Sequence, residues 1–215
     1  MKSFTPILSW LLVCAASSVW AASIQLEDQT AIEAEILQVD DEELIIRLPR
    51  RRVGTIDGKP LPPPLVEGAA APPFQLRDLQ GNPQTLGTSQ GRVTVLHFWV
   101  SWCPHCRSDA PKLQALYNQF RAHPKVAIVT VSLDEQREAL DRFVQERQVS
   151  YPVIDAAEQA KLPGGVDLAE LYHVNSFPMT YLIDEQGIIR QKLRGSFVES
   201  GVDLTQQLQQ LLPPS

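Results

Sequence analysis

The sequence predicts an α/β domain preceded by a small β segment, and three observations lead there. Residues 93–100 and 126–133 are apolar on both faces, the pattern of strands buried inside a sheet. Segments of helical period follow each of them, 104–121 and 135–147, the second with Leu140, Phe143 and Val144 on one side. Two further apolar runs, 179–184 and 188–193, flank Glu185-Gln186-Gly187 and read as a hairpin ahead of a last helix at 204–212.

The remaining elements follow in chain order. The first residues have the layout of a secretory signal peptide: Lys2, an apolar run, then small residues up to Ala21. Residues 1–21 are therefore expected to be removed, placing the protein in the periplasm. An uncleaved membrane anchor is the alternative. Lipid attachment at Cys14 is disfavoured because Val13, just before it, is not small. No later run reaches spanning length. Residues 22–57 form the small N-terminal β segment, with Ile32, Ala34 and Ile36, then Leu44, Ile46 and Leu48, alternating around a polar turn at Asp40-Asp41-Glu42. So short a segment buries little core, so it is expected to lean on the main domain or on a second copy of itself. The stretch GKPLPPPLVEGAAAPPF begins at Gly58 and is dominated by proline and glycine, which makes 58–70 a semi-rigid linker, with the domain boundary near Val66 to Ala70. The main domain then runs over 71–213. It opens with a hairpin at 74–86 and also holds a short strand at 151–154, a loop at Gly164-Gly165 and a short helix at 166–173.

Composition limits the function. The chain has 19 basic against 25 acidic side chains, a formal net charge of −6, and no long basic run, so nucleic acid is not an expected partner. Arg50, Arg51 and Arg52 form the one basic cluster and read as a solvated loop. Once the signal peptide is gone, Cys103 and Cys106 are the only cysteines.

A lone pair in an exported protein can be a structural staple. Staples gain most by closing long loops, however, and this pair closes a very short one. A Cys-x-x-Cys at a strand–helix junction has another meaning. The first cysteine falls at the helix N-cap, where free N–H groups and the helix dipole favour a thiolate. Pro104 fits the first helical position, where a missing N–H costs nothing. Cys103 is thus the expected exposed nucleophile and Cys106 the resolving thiol, one turn away. An imidazolium at His105 would favour the thiolate further and make the disulfide more oxidising. The alternative is a solvent-facing histidine without a role.

The stretch FWVSWCPHC resembles the first signature of thioredoxin-like proteins, and Pro111 matches a proline in that family's first helix. Downstream, YHVNSFPMTYLIDEQGIIR resembles its second signature, with Pro178 on the cis-proline position. The additional helix and strand between Glu135 and Ile154 resemble the insertion of the TlpA/ResA branch, and the likeness covers about 71–212. It implies a thioredoxin-like fold, a central mixed sheet flanked by helices. It also implies thiol–disulfide exchange with protein substrates, no cofactor beyond the redox-active Cys103–Cys106 disulfide, no metal, and a membrane redox partner. Trp102, Phe177, Pro178 and Met179 would line the substrate groove. Phe177 departs from the small or β-branched residue usual there and would enlarge the apolar contact or partly cover the site. His97 stands where thioredoxin and DsbA carry a buried carboxylate. It would take the Cys106 proton, or else be a hydrogen-bonded core histidine.

The direction of electron flow is divided. The body resembles reductases, whereas Cys-Pro-His-Cys is the centre of the oxidant DsbA. A dimeric isomerase, joined through the N-terminal segment, is a third option. From a different class, a Cu(I) metallochaperone would use the two thiolates with Met179 and a histidine. A structural zinc site lacks ligands. A peroxidase lacks the Thr-x-x-Cys arrangement and arginine partner of peroxiredoxins. His123 and His173 read as surface or helix-end residues.

Overall fold

The computed structural model describes residues 65–87, 91–161, 165 and 167–212, together with the backbone of five earlier strands. The expected signal peptide up to residue 19, the turn at Asp40-Asp41-Glu42, the arginine cluster and Gly164 lie outside the described residues. Two units are present, Met1–Pro63 and Pro64–Ser215.

In the first unit, β1 (Trp20–Gln25), β2 (Ala31–Val39) and β3 (Leu44–Arg47) make an antiparallel sheet in that order. The two runs read as alternating pair with each other, Ile36 opposite Ile46 and Val39 opposite Leu44. β1 adds a strand on the other side of β2, and the expected cleavage point after Ala21 falls within it. β4 (Thr55–Ile56) and β5 (Lys59–Pro60) form a two-residue pair.

The second unit starts earlier than the expected boundary. Leu65 is buried, and its carbonyl accepts from Lys192 Nζ at 3.3 Å. Gly68 N donates to Ile189 O and Ala71 N to Gly187 O, both at 2.8 Å. The stretch expected as linker, 58–70, is thus divided. Its proline-rich composition concealed one apolar side chain and a set of backbone donors that bind the edge of the last hairpin.

After this come β6 (Phe74–Arg77) and β7 (Pro83–Leu86), the expected hairpin. β8 (Val93–Trp99), α1 (Pro104–Phe120), β9 (Val126–Ser132), α2 (Arg137–Glu146) and β10 (Val153–Asp155) give the α/β rhythm. Every residue of β8 and β9 is buried, as their two-sided apolar pattern requires. Two short helices follow, α3 (Ala156–Lys161) and α4 (Leu168–Leu171). No apolar period marks α3. Its start is set by Asp155, whose carboxylate accepts from Glu158 N at 3.0 Å. α4 is shorter than the helix expected at 166–173 and is capped by the Asp167 side chain. β11 (Met179–Ile183), β12 (Ile189–Arg194) and α5 (Leu204–Leu211) complete the unit.

The central sheet has the order β10-β9-β8-β11-β12. β10, β9 and β8 are parallel, and β11 and β12 are antiparallel, so the sheet is mixed as expected. Alternation along β8 sorts its side chains between two cores. Val93, Val95 and Trp99 pack with α1, α2 and α5 through Leu113, Leu116, Leu140, Phe143 and Leu208. Leu96 and Phe98 pack on the other face with Phe74, Leu168, Tyr172, Tyr181 and Ile189. Fully burying a side chain of this size contributes roughly 1.5–3 kcal/mol, so these two layers fix the sheet between its helices. The turn after β8 is thereby held rigidly at the mouth of α1. Among the described residues, no helix is long and apolar enough to cross a membrane.

Candidate active site

The site lies where β8 hands over to α1. Cys103 is the N-cap of α1, with extended φ and ψ of −76° and 121°, and Pro104 begins the helix. Its Sγ accepts from Cys106 N at 3.4 Å, and its carbonyl accepts from Arg107 N at 3.0 Å. The first sulfur therefore takes one of the N–H groups that a helix start leaves unpaired. Both cysteines are free thiols.

The preceding turn is clamped from two sides. The Asp134 carboxylate, just past β9, accepts from Ser101 N at 3.1 and 3.0 Å, from Ser101 Oγ at 2.7 Å and from Ser132 Oγ at 2.8 Å. Arg107 donates to Ser101 O at 3.2 Å, with its guanidinium over the Phe143 ring. All of Ser101, Ser132 and Asp134 are buried. The sequence reading missed Asp134. Its signal was available: Ser132 and Asp134 bracket the end of a buried strand, where polar side chains are otherwise costly.

Cys103 was expected to be exposed, but it is only 5% accessible, against 2% for Cys106. The loop ahead of β11 accounts for this. Phe177 packs against the core cluster that contains both cysteines, and its carbonyl lies 3.8 Å from Cys103 Sγ, within reach of the thiol proton. The Phe177–Pro178 peptide bond is cis, as the resemblance implied. Trp102 is the exposed partner, 69% accessible, and its ring meets that of Phe177 edge-on at 6.2 Å. Phe177 thus stands beside the sulfur, with Trp102 against its ring and Pro178 joined to it by the cis bond. Met179 does not. Its side chain is fully buried in the core cluster with Leu96 and Phe98, because alternation after Pro178 turns it to that cluster.

His97 is buried in the middle of β8, opposite Thr180 of β11. That pairing explains its hydrogen bond, Nδ1 to Thr180 Oγ1 at 2.9 Å. Nε2 has no partner, and the Phe197 ring stands edge-on to the imidazole at 6.0 Å. Burial pushes its pKa down to about 3, so the ring is neutral at pH 7.

A carboxylate is felt at the resolving cysteine, from a residue the sequence pattern does not single out. Asp109 is fully buried one helical turn beyond Cys106. Its Oδ1 accepts from Ser196 Oγ and, at 3.3 Å, from Val198 N. Its Oδ2 has no partner. Burial raises the Asp109 pKa, the hydrogen bonds from Ser196 and Val198 opposing it. Burial also pushes the Cys106 thiol well up, reinforced by its hydrogen bond with Cys103 and by the charge of Asp109. The signal for Asp109 was its place at i+3 from Cys106, on the stripe that Ala110 and Leu113 continue into the core.

His105 lies on the outside. Its Nδ1 is 2.7 Å from Glu199 Oε1, and both side chains are more than half exposed. Among the described residues, no group of three or more His, Cys, Asp or Glu is arranged to hold a metal ion.

A buried dithiol at a helix N-cap, faced by a cis-proline loop on a five-stranded mixed sheet, defines a thioredoxin-like thiol–disulfide oxidoreductase. The AhpC/TSA family model matches residues 68–192, and the chain belongs to that family. Among curated relatives, the thiol-disulfide oxidoreductase ResA of Geobacillus kaustophilus is 29% identical over 147 residues, 68% of this chain and 78% of that protein. ResA of Bacillus subtilis is 30% identical over 134 residues, 62% of this chain and 70% of its own length. Among solved structures, the thioredoxin domain of a thiol-disulfide oxidoreductase from Bacteroides vulgatus aligns with a TM-score of 0.51 and 29% identity, over 65% of this chain and all of that one.

Proposed function

We propose that the protein is an exported, periplasmic thiol–disulfide reductase that exchanges disulfides with protein substrates through Cys103 and Cys106. The observation that carries this is the placement of Cys103 Sγ as the α1 N-cap beside the Phe177 carbonyl, with Cys106 one turn behind it. The signal-peptide layout supports export, and the likeness to ResA supports the reducing direction.

In the forward reaction the Cys103 thiolate attacks one sulfur of a substrate disulfide. A mixed disulfide forms and one substrate thiolate leaves, taking up a proton. Cys106 then gives up its proton and attacks Cys103 Sγ, which releases the second substrate thiolate. The substrate gains two electrons and the protein keeps the Cys103–Cys106 disulfide. A membrane redox partner returns the dithiol in the same way in reverse.

The proton from Cys106 needs an acceptor. His97 is a poor one, because a ring with a pKa near 3 holds a proton too weakly. Asp109 lies one turn beyond Cys106 on α1, has an oxygen without a partner, and burial raises its pKa. We assign the step to Asp109 and the core role to His97. Trp102 and Phe177 supply an apolar platform for the substrate chain on either side of its disulfide.

Reduction of insulin by the dithiol, followed in wild type, Cys103→Ser and Cys106→Ser, tests the reading. Activity is expected in wild type alone, with a trapped mixed disulfide in Cys106→Ser. Wild type without activity contradicts it.

A further inference from the structure

The four residues Ser196 to Glu199, between β12 and α5, touch three titratable residues, Asp109, His97 and His105. Ser196 Oγ and Val198 N donate to Asp109, the Phe197 ring stands against His97, and Glu199 Oε1 meets His105 Nδ1. The segment is flanked by Gly195 and Gly201, both with positive φ, and Gly195 N is tied to Pro178 O at 2.8 Å. Glu199 N donates to Ser196 Oγ at 3.1 Å, and Ser200 Oγ closes back on Ser196 O at 2.7 Å.

We propose that Glu199 is a positioning residue that sets the redox poise of the cysteine pair: it holds the His105 imidazole by Nδ1 and places a carboxylate beside it, so the couple is less oxidising than its Cys-Pro-His-Cys sequence implies.

Two arguments support it. The first is preorganisation. An ordinary exposed ion pair must order two flexible side chains and contributes little. Here the Glu199 backbone is fixed through the buried Ser196–Asp109 contact, so less is lost on pairing. The second is charge balance. Replacing the Glu199 carboxylate by an amide removes a negative charge beside His105, two residues from Cys103. A more positive neighbour stabilises the Cys103 thiolate, hence the dithiol. The sign is therefore fixed: losing Glu199 makes the disulfide more oxidising. The Glu199 charge is also felt at the buried Asp109 carboxyl, which places it over both cysteines' neighbours.

The proposal rests on the reading of Cys103–Cys106 as a redox couple, and the test separates the two. The protein disulfide is equilibrated with glutathione: two glutathione thiols give two electrons and two protons, leaving the Cys103 and Cys106 thiols and one glutathione disulfide. Wild type, Glu199→Gln, His105→Gln and the double variant are compared at pH 7. Glu199→Gln is expected to shift the constant toward the dithiol by about two- to fivefold, and the shift is expected to shrink at least by half in the His105→Gln background. Glu199→Asp, one carbon shorter with its charge kept, should recover part of the wild-type value. An unchanged constant, a shift toward the disulfide, or an equal shift without His105 overturns the proposal and leaves the couple standing. A chain that reaches no such equilibrium overturns both.

Discussion

Asp109 lies one helical turn beyond Cys106, and both side chains are buried beneath α1. One is a thiol that must lose a proton before it can attack. The other is a carboxyl with one oxygen held by Ser196 and Val198 and the other oxygen free.

Asp109→Asn keeps the shape and the Oδ1 acceptor but removes the proton acceptor. Loss of a general base typically costs 10²–10⁴-fold, so resolution of the mixed disulfide should slow by roughly 10²-fold while the first attack by Cys103 is little changed. Stopped-flow fluorescence resolves the two phases. Equal slowing of both, or of neither, contradicts the assignment.

The same variant has a stability consequence of opposite sign. The folded pKa of Asp109 is raised above its unfolded value, so the folded state binds the extra proton in the window above 3.8. The group's contribution is fully present below that window and is lost as pH rises through the folded pKa. Asp109→Asn should therefore be at least as stable as wild type at pH 7, measured by urea denaturation, despite being slower.

His97 gives a pH dependence in the other direction. Its folded pKa is lowered from 6.5 to about 3, so the unfolded chain binds more protons between those values. Stability is full above pH 6.5 and falls as pH drops toward 3, by on the order of a few kcal/mol. In His97→Gln, whose amide can still meet Thr180, this slope between pH 6 and pH 4 should flatten. Thermal unfolding across that range checks it. Thiol exchange at pH 7 should change little.

Asp134→Asn tests the clamp on the Ser101 turn. An amide offers one acceptor oxygen where four hydrogen bonds now converge on two. Leaving buried donors unpaired costs about 1–3 kcal/mol, so the urea midpoint should fall and insulin reduction with it. A midpoint equal to wild type counts against the clamp.

Trp102→Ala removes the exposed half of the Trp102–Phe177 pair. KM for insulin should rise severalfold while exchange with glutathione, which needs no platform, stays near wild type. Equal losses on both substrates would place Trp102 in the chemistry instead.

Much of this was legible because the fold and the redox pair rest on local pattern. β8 and β9 were readable from runs apolar on both faces, and the N-cap role of Cys103 from its position between a strand and Pro104. What was missed depends on which side chains meet across the chain. Asp109 looks like a surface acid of a helix until Ser196, 87 residues later, closes over it. Met179 looks like a groove residue because it follows Pro178, yet strand alternation sends it into the core. Burial of Cys103 under Phe177 was half visible, in the size of the residue before the proline. The partner of His105 was not, since nothing in Cys-Pro-His-Cys points to a glutamate in the β12–α5 loop.

The reduction potential of the Cys103–Cys106 couple, measured by equilibration with glutathione at pH 7, tests the central claim most directly. A protein-disulfide reductase should lie near the reducing end of the thioredoxin-like range, close to about −270 mV. A value near about −120 mV, that of a strong periplasmic oxidant, would contradict the account.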